Sequence, residues 1–157
     1  MVVVADTTPV NYLILIGEID VLASLYGRVV VPGAVYEELQ NPLAPLMVRT
    51  WIAQSWEWFE VRAAPEMFDD ELSKLDRGER DAIALAKELA ADHLIIDEVR
   101  GRRLAERRGL SVIGTLGVLR DAAGAGLLDL ASAIERLRNT SFHISPEILM
   151  RLLKDLA

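Results

Sequence analysis

Short β-branched runs alternate along this chain with longer stretches of helical period, and that alternation restricts it to βαβ units wound around a parallel sheet. VVVA at 2 to 5 reads as a buried strand. A helix is expected from about Pro9, with Thr8 as its cap and proline at the first helical position, turning Val10, Leu13, Ile14 and Ile16 inward and ending at Gly17. Residues 19 to 26 read as a second helix, RVVV at 28 to 31 as a second strand, and Pro32 opens a third helix that Asn41-Pro42 stops. A helix at 45 to 54 leads into WEWFEV at 56 to 61, whose alternation suits an edge strand. Residues 62 to 75 form a polar, acidic connection, either a loop or a short helix. The periodic pattern then returns with a helix at 80 to 90, a strand at 94 to 96, an arginine-rich helix at 99 to 108 and a last strand at 111 to 114. Helices at 115 to 123, 129 to 138 and 146 to 156 complete the chain. Right-handed crossovers put helices on both faces, so five such strands make a three-layer α/β sandwich.

A chain of 157 residues with 52% hydrophobic residues buries enough surface to fold without disulfides, and a single domain spanning 1 to 157 is expected. There is no cysteine, hence no thiol nucleophile and no thiolate zinc site, and two isolated histidines, His93 and His143, do not replace one. No basic leader precedes the first apolar run and no stretch is long enough to span a bilayer, so a cytoplasmic protein with no membrane role is expected. The net charge of -7 argues at first against a polyanion partner. Its distribution argues otherwise: residues 1 to 73 carry 3 basic and 11 acidic residues, whereas 74 to 157 carry 14 and 13.

In an open parallel sheet, ligands bind beyond the carboxyl ends of the strands. The first strand exits into Asp6, Thr7 and Thr8, the second leads through Pro32 to Glu37 and Glu38, the fourth runs into Asp97 and Glu98, and the fifth into Gly114 and Thr115. Glu79, at the start of the helix before strand four, reaches the same end. Carboxylates converging without interleaved cations repel one another unless a metal compensates. All-oxygen ligation suits Mg2+ or Mn2+, and the lack of usable His and Cys removes zinc, iron and copper. An ion of that kind activates water and neutralises charge on a phosphoryl group, which suggests phosphodiester hydrolysis.

The segments ADTTPVNYLILIGEIDVL, VVVPGAVYEEL and LDRGERDAIALAKELAADHLIIDEVRGRRLAERRGLSVIGTLGVL resemble a PIN domain, in the branch that carries Gly-Glu ahead of an Ala-Ile helix. The resemblance covers roughly residues 2 to 126. It implies a parallel five-stranded sheet of order 3-2-1-4-5, a metal-dependent endoribonuclease using Mg2+ or Mn2+, and frequent service as the VapC-type toxin of a toxin–antitoxin pair. The implied partners are RNA, an antitoxin protein and a second copy of the chain in a homodimer. Carried over by position, Asp6, Glu38, Glu79 and Asp97 match the four acids of the family's catalytic and metal-binding set. Asp81, directly before Ala82, competes with Glu79 for the third place. Thr7 and Thr115 match hydroxyls found beside the metal, and Glu98 is a candidate outer acid.

Plainer readings stand beside these. Glu38 also fits a solvated helix residue next to Glu37, and Asp76 to Glu79 has the spacing of a capping box. Arg100, Arg103 and Arg107 share a helix face and suit RNA phosphates, yet they also fit a solvated surface. Trp51, Trp56, Trp58 and Phe59 suit core packing or a subunit interface better than base stacking. Two other functions remain open. One is aspartyl phosphotransfer at Asp6, disfavoured by Thr8 two residues on and by Gly114-Thr115 where a lysine would follow strand five. The other is a non-catalytic module that binds RNA or a protein.

Overall fold

The protein is described by a computed structural model covering residues 1–67 and 69–155. Position 68 of the acidic connection and position 156 of the last expected helix lie outside the described residues. Five strands, β1 (Val2–Ala5), β2 (Arg28–Pro32), β3 (Phe59–Arg62), β4 (His93–Ile95) and β5 (Val112–Ile113), form one parallel sheet in the order β3-β2-β1-β4-β5. The helices are α1 (Thr7–Leu15), α2 (Val21–Tyr26), α3 (Gly33–Leu39), α4 (Leu46–Ile52), α5 (Arg77–Glu88), α6 (Val99–Arg107), α7 (Thr115–Gly124), α8 (Leu130–Arg138) and α9 (Pro146–Asp155). A 3-10 turn, Leu72–Lys74, interrupts the acidic connection. Among the described residues, no helix is long and apolar enough to cross a membrane.

Strand alternation divides the core in two. Val3, Ala5, Val29, Val31 and Ile95 face one side, where they meet apolar residues of α1, α2, α3, α4, α7 and α8. Val4, Val30, Leu94 and Ile96 face the other side, where α5 and α6 cover them. Both layers are fully buried at the centre. The three central strands, buried on both faces, are therefore near-continuous runs of valine, leucine and isoleucine, as a covered parallel sheet requires.

Several element boundaries shift from the expected ones, among them the helix expected at 80 to 90, which is Arg77–Glu88; two of the shifts have a clear local reason. α1 begins at Thr7, so Asp6 rather than Thr8 holds the N-cap position, with extended backbone (φ -86°, ψ 170°) and no capping hydrogen bond from its side chain. Pro9 is then the third helical residue, where its missing N–H costs nothing because the first-turn N–H groups lack helical partners anyway. The third strand starts at Phe59 rather than 56, because Trp56 folds back to form an isolated antiparallel bridge with Phe59 and stacks on Trp51, ring centroids 5.3 Å apart. The Trp/Glu alternation therefore marks a turn-plus-strand. Trp51, Trp58 and Phe59 pack against the core, in line with the packing reading of the aromatic group.

Candidate metal centre and active site

Every helix that follows a strand begins at the carboxyl edge of the sheet, and this places the acids together. Asp6 follows β1 immediately, and its backbone N–H bonds the Ile95 carbonyl at 2.9 Å, which locks it beside the end of β4. The side chain is only 3% exposed. Burial raises its carboxyl, the Thr7 N–H opposes the rise, and the charges of Glu38, Asp97 and Asp76 add to it, so that the group titrates at about 7 instead of 3.8. Among the described residues, no basic side chain is among the groups that offset this.

Glu38 is the second-last residue of α3 and accepts a 2.5 Å hydrogen bond from the Thr7 hydroxyl. Thr7 is thus a positioning residue for a neighbouring acid. α5 crosses α3 so closely that a Cβ on Gly78 would lie 2.6 Å from Glu38 Oε1. The Gly-Glu pair of α5 is therefore one device: the glycine admits the Glu38 carboxylate, and the glutamate after it projects Glu79 toward the same edge. Glu79 is raised to about 7 by burial first and then by the charges of Asp6, Glu98, Asp76 and Glu38. Asp76 occupies the N-cap position of α5 without a side-chain cap, so the capping-box alternative for Glu79 is not realised.

Asp97 leaves β4 and is held by both arms of Thr115: the N–H donates to Oδ1 at 2.7 Å and the hydroxyl to Oδ2 at 2.5 Å. Its carboxyl is raised by burial, with the Thr115 bonds and the Arg102 guanidinium opposing. Gly114 permits this approach, since a Cβ there would stand 2.9 Å from Asp97 Oδ1. Glu98 has a structural task, capping α6 through a 2.7 Å bond from the Gly101 N–H, while its charge still reaches Glu79.

Asp81 is separated from this group. It lies 4.0 Å from Arg77 and 3.6 Å from Arg80, in a different pocket that includes Asp69 and Asp70. On a helix two residues apart point about 200° apart, so only one of Glu79 and Asp81 faces the strand exits, and it is Glu79.

Arg100, Arg103 and Arg107 line one cleft of about 290 Å³ together with Lys74 and Glu71. A smaller pocket shared by Lys74, Arg100, Asp76, Glu79 and Glu98 joins that cleft to the acidic group. Three contributors escaped the sequence reading: Asp76, Arg102 and Lys74. Asp76 and Arg102 were visible as a capping candidate and a member of the arginine run, but their facing depends on how α5 and α6 lie on the sheet. Lys74 had no motif at all.

Among the described residues, no three His, Cys, Asp or Glu side chains are arranged, as they stand, to hold one metal ion together. The donor set nevertheless fits a hard cation. Asp6, Glu38, Glu79 and Asp97 offer only oxygen, two of them titrate near 7 through burial and mutual repulsion, and Mg2+ needs only one or two direct carboxylates because it retains several waters.

The PIN-domain family designated DUF3368 matches residues 2–157. Among solved structures, a PilT N-terminus domain protein, SSO1118, from the hyperthermophilic archaeon Sulfolobus solfataricus P2 is similar over 92% of this chain and 100% of its own, with 19% identity and a TM-score of 0.53. That likeness is one of fold. No curated protein matches the chain.

Proposed function

Because the chain belongs to the PIN-domain family, whose members are commonly nucleases, we propose that it is a divalent-metal-dependent endoribonuclease acting on single-stranded or loop RNA. The observation that carries this reading is the uncompensated pair Asp6 and Glu79, both raised to about 7 at the edge where the strands end. Asp6, Glu38, Glu79 and Asp97 would hold Mg2+ or Mn2+, directly or through water. When bound, the ion supplies a polarised water and neutralises charge on the phosphoryl oxygens. Thr7 fixes the Glu38 carboxylate and Thr115 fixes that of Asp97, so two of the four acids are oriented before any ligand arrives. Asp6 and Glu79 must give up protons as a cation enters, so metal affinity rises with pH up to about 7. The cleft lined by Lys74, Arg100 and Arg103 would hold the RNA backbone without reading its sequence.

Cleavage of a defined RNA panel with and without Mn2+ tests the reading, with Asp6→Asn and Asp97→Asn as controls of verified fold. Cleavage that both variants leave unchanged would sink it. The spread of the acids supports one rival, a non-catalytic module that binds RNA; RNA binding with no metal heat in calorimetry would favour that rival.

We also propose that the chain is of the VapC type, a cytoplasmic toxin that forms a homodimer and is held inactive by an antitoxin protein. An open apolar groove of about 550 Å³, lined by Ile14, Ile19, Leu46, Met47, Trp51 and Trp56, supports a protein partner of that kind. Growth arrest on expression, abolished by Asp6→Asn, is the expected result; arrest by both proteins would detach toxicity from the site.

A further inference from the structure

The acidic connection between β3 and α5 is pinned across α6. Asp69 anchors it, with Oδ2 2.6 Å from Arg108 and Oδ1 accepting the N–H groups of Glu71 and Leu72 at 2.9 and 3.3 Å. The Arg108 guanidinium holds the Asp69 carboxyl below its ordinary range. This turn delivers Glu71 into the basic cleft, where its Oε2 stands 2.8 Å from Arg107, while its other oxygen lies 3.9 Å from Arg108, which Asp69 already holds at 2.6 Å. Glu71 is the one acid among the cleft's lining residues. Arg100 and Arg103 make no ion pair among the described residues, so the arginine farthest along α6 from the carboxylates is the one already engaged.

Carboxylate and phosphate oxygens engage a guanidinium in the same planar manner. We propose that Glu71 is an internal substitute for a backbone phosphate of the substrate, occupying Arg107 until an RNA strand displaces it. The inference rests on the ribonuclease reading and adds to it a residue that sets substrate affinity and length. Seven residues of helix separate Arg100 from Arg107, about 10 Å along the axis. A strand that ends near Arg103 leaves Glu71 in place, whereas a longer strand gains Arg107 only by breaking the Glu71 pair.

The pair is largely exposed, with side chains 62% and 57% accessible, so the expected effect is modest. Binding of a fluorescent single-stranded RNA is measured in EDTA, where turnover is absent, for wild type, Glu71→Gln, Arg107→Gln and the double variant. Glu71→Gln is expected to tighten binding about two- to fivefold at low salt, and most of that gain is expected to vanish in the Arg107→Gln background, because the longer contact to Arg108 is the only pairing left there. Equal tightening in both backgrounds would mean that Glu71 acts only by general repulsion and would overturn the proposal, as would no tightening at all. If none of the proteins binds RNA, the ribonuclease reading fails and this inference with it. RNA binding that is indifferent to Glu71 removes this inference alone.

Discussion

Asp6→Asn separates the energetics of the site from its chemistry, because the substitution removes a charge and almost no volume. A carboxyl that titrates at about 7 in the fold and 3.8 outside it makes its ionised form about 4 kcal/mol less favourable in the folded chain at pH 8. The sign follows from the raised value. The fold binds this proton more tightly than the unfolded chain does, so Asp6 supports folding most below 3.8, and that support is lost as pH rises through 7. At pH 5 the folded protein has taken up the proton, and the penalty falls to under about 2 kcal/mol. Asparagine carries no such penalty, and the raised value is already net of the Thr7 N–H bond to the carboxylate. The variant should therefore be more stable than wild type by about 4 kcal/mol at pH 8 without metal, and by under about 2 kcal/mol at pH 5. For a chain of this size the gain at pH 8 corresponds to about 8 to 16 °C in Tm. Thermal melts followed by circular dichroism in EDTA, from pH 5 to 8, measure it directly. Mn2+ should then raise the Tm of wild type and leave the variant nearly unmoved. A variant no more stable than wild type at pH 8, or a difference independent of pH, would refute the electrostatic argument; equal stabilisation of both by Mn2+ would remove Asp6 from the ligands.

Gly78→Ala places a methyl 2.6 Å from Glu38 Oε1, and the flexible glutamate gives way; the expected result is a fall in RNA cleavage of at least about tenfold while Tm holds or rises, since alanine favours helix by about 1 kcal/mol. Unimpaired cleavage would show that Glu38 need not sit on Thr7. Thr115→Val removes the hydroxyl bond to Asp97 but keeps the backbone one, and a bond of this charged kind is worth about 1.5 to 3 kcal/mol. Since that bond favours the ionised carboxylate, its loss raises the Asp97 carboxyl further, and the acid limb of the cleavage-rate profile should move to higher pH; an unmoved limb would exclude Asp97 from the rate-controlling titration. Replacing Arg100 and Arg103 by glutamine should make the salt dependence of RNA binding shallower by about 0.7 in the logarithmic slope for each phosphate that is no longer neutralised, and an unchanged slope would place the RNA elsewhere.

The parts of this molecule legible in the chain are those governed by period and by strand exit. The valine runs had to be strands covered on both faces, and a parallel sheet then fixes which end receives Asp6, Glu38, Glu79 and Asp97. The choice between Glu79 and Asp81 was also legible in principle. Ala82, Ile83, Leu85 and Ala86 are the stripe that α5 packs into the core, and Glu79 lies one turn before Ala82 and Ile83 on its border, while Asp81 meets Arg77 and Arg80 beyond it. The start of β3 was less legible, because Trp56 is held by stacking on Trp51 of a neighbouring helix, an interaction that no local pattern encodes. Arg102 and Lys74 were hidden for a similar reason: which arginine of α6 faces Asp97, and what stands across the cleft, depends on how the helix lies on the sheet.

The uneven charge of the chain gains its meaning only after folding. Acids from the first half are brought onto arginines of the second: Glu18 meets Arg136, Glu37 meets Arg77, Asp69 meets Arg108 and Glu71 meets Arg107. Glu37 and Glu38 are adjacent in sequence and stand on the same helix, yet the arginine goes to Glu37, and Glu38 receives only a neutral hydroxyl from Thr7. Asp6, far more buried than any of the paired acids, receives a backbone N–H and no cation. A chain with guanidinium groups within reach of this edge leaves uncompensated the carboxylates for which compensation would stabilise it most. Such a deficit is what a binding site for an external cation requires, because an arginine at Asp6 would stabilise the fold and occupy the place of the ion. By this reasoning Glu38→Arg should raise the Tm of the metal-free protein at pH 8 by relieving Asp6, while abolishing metal binding and cleavage together. A variant that gains stability and still cleaves RNA in a Mn2+-dependent way would mean that the deficit at Asp6 has another cause.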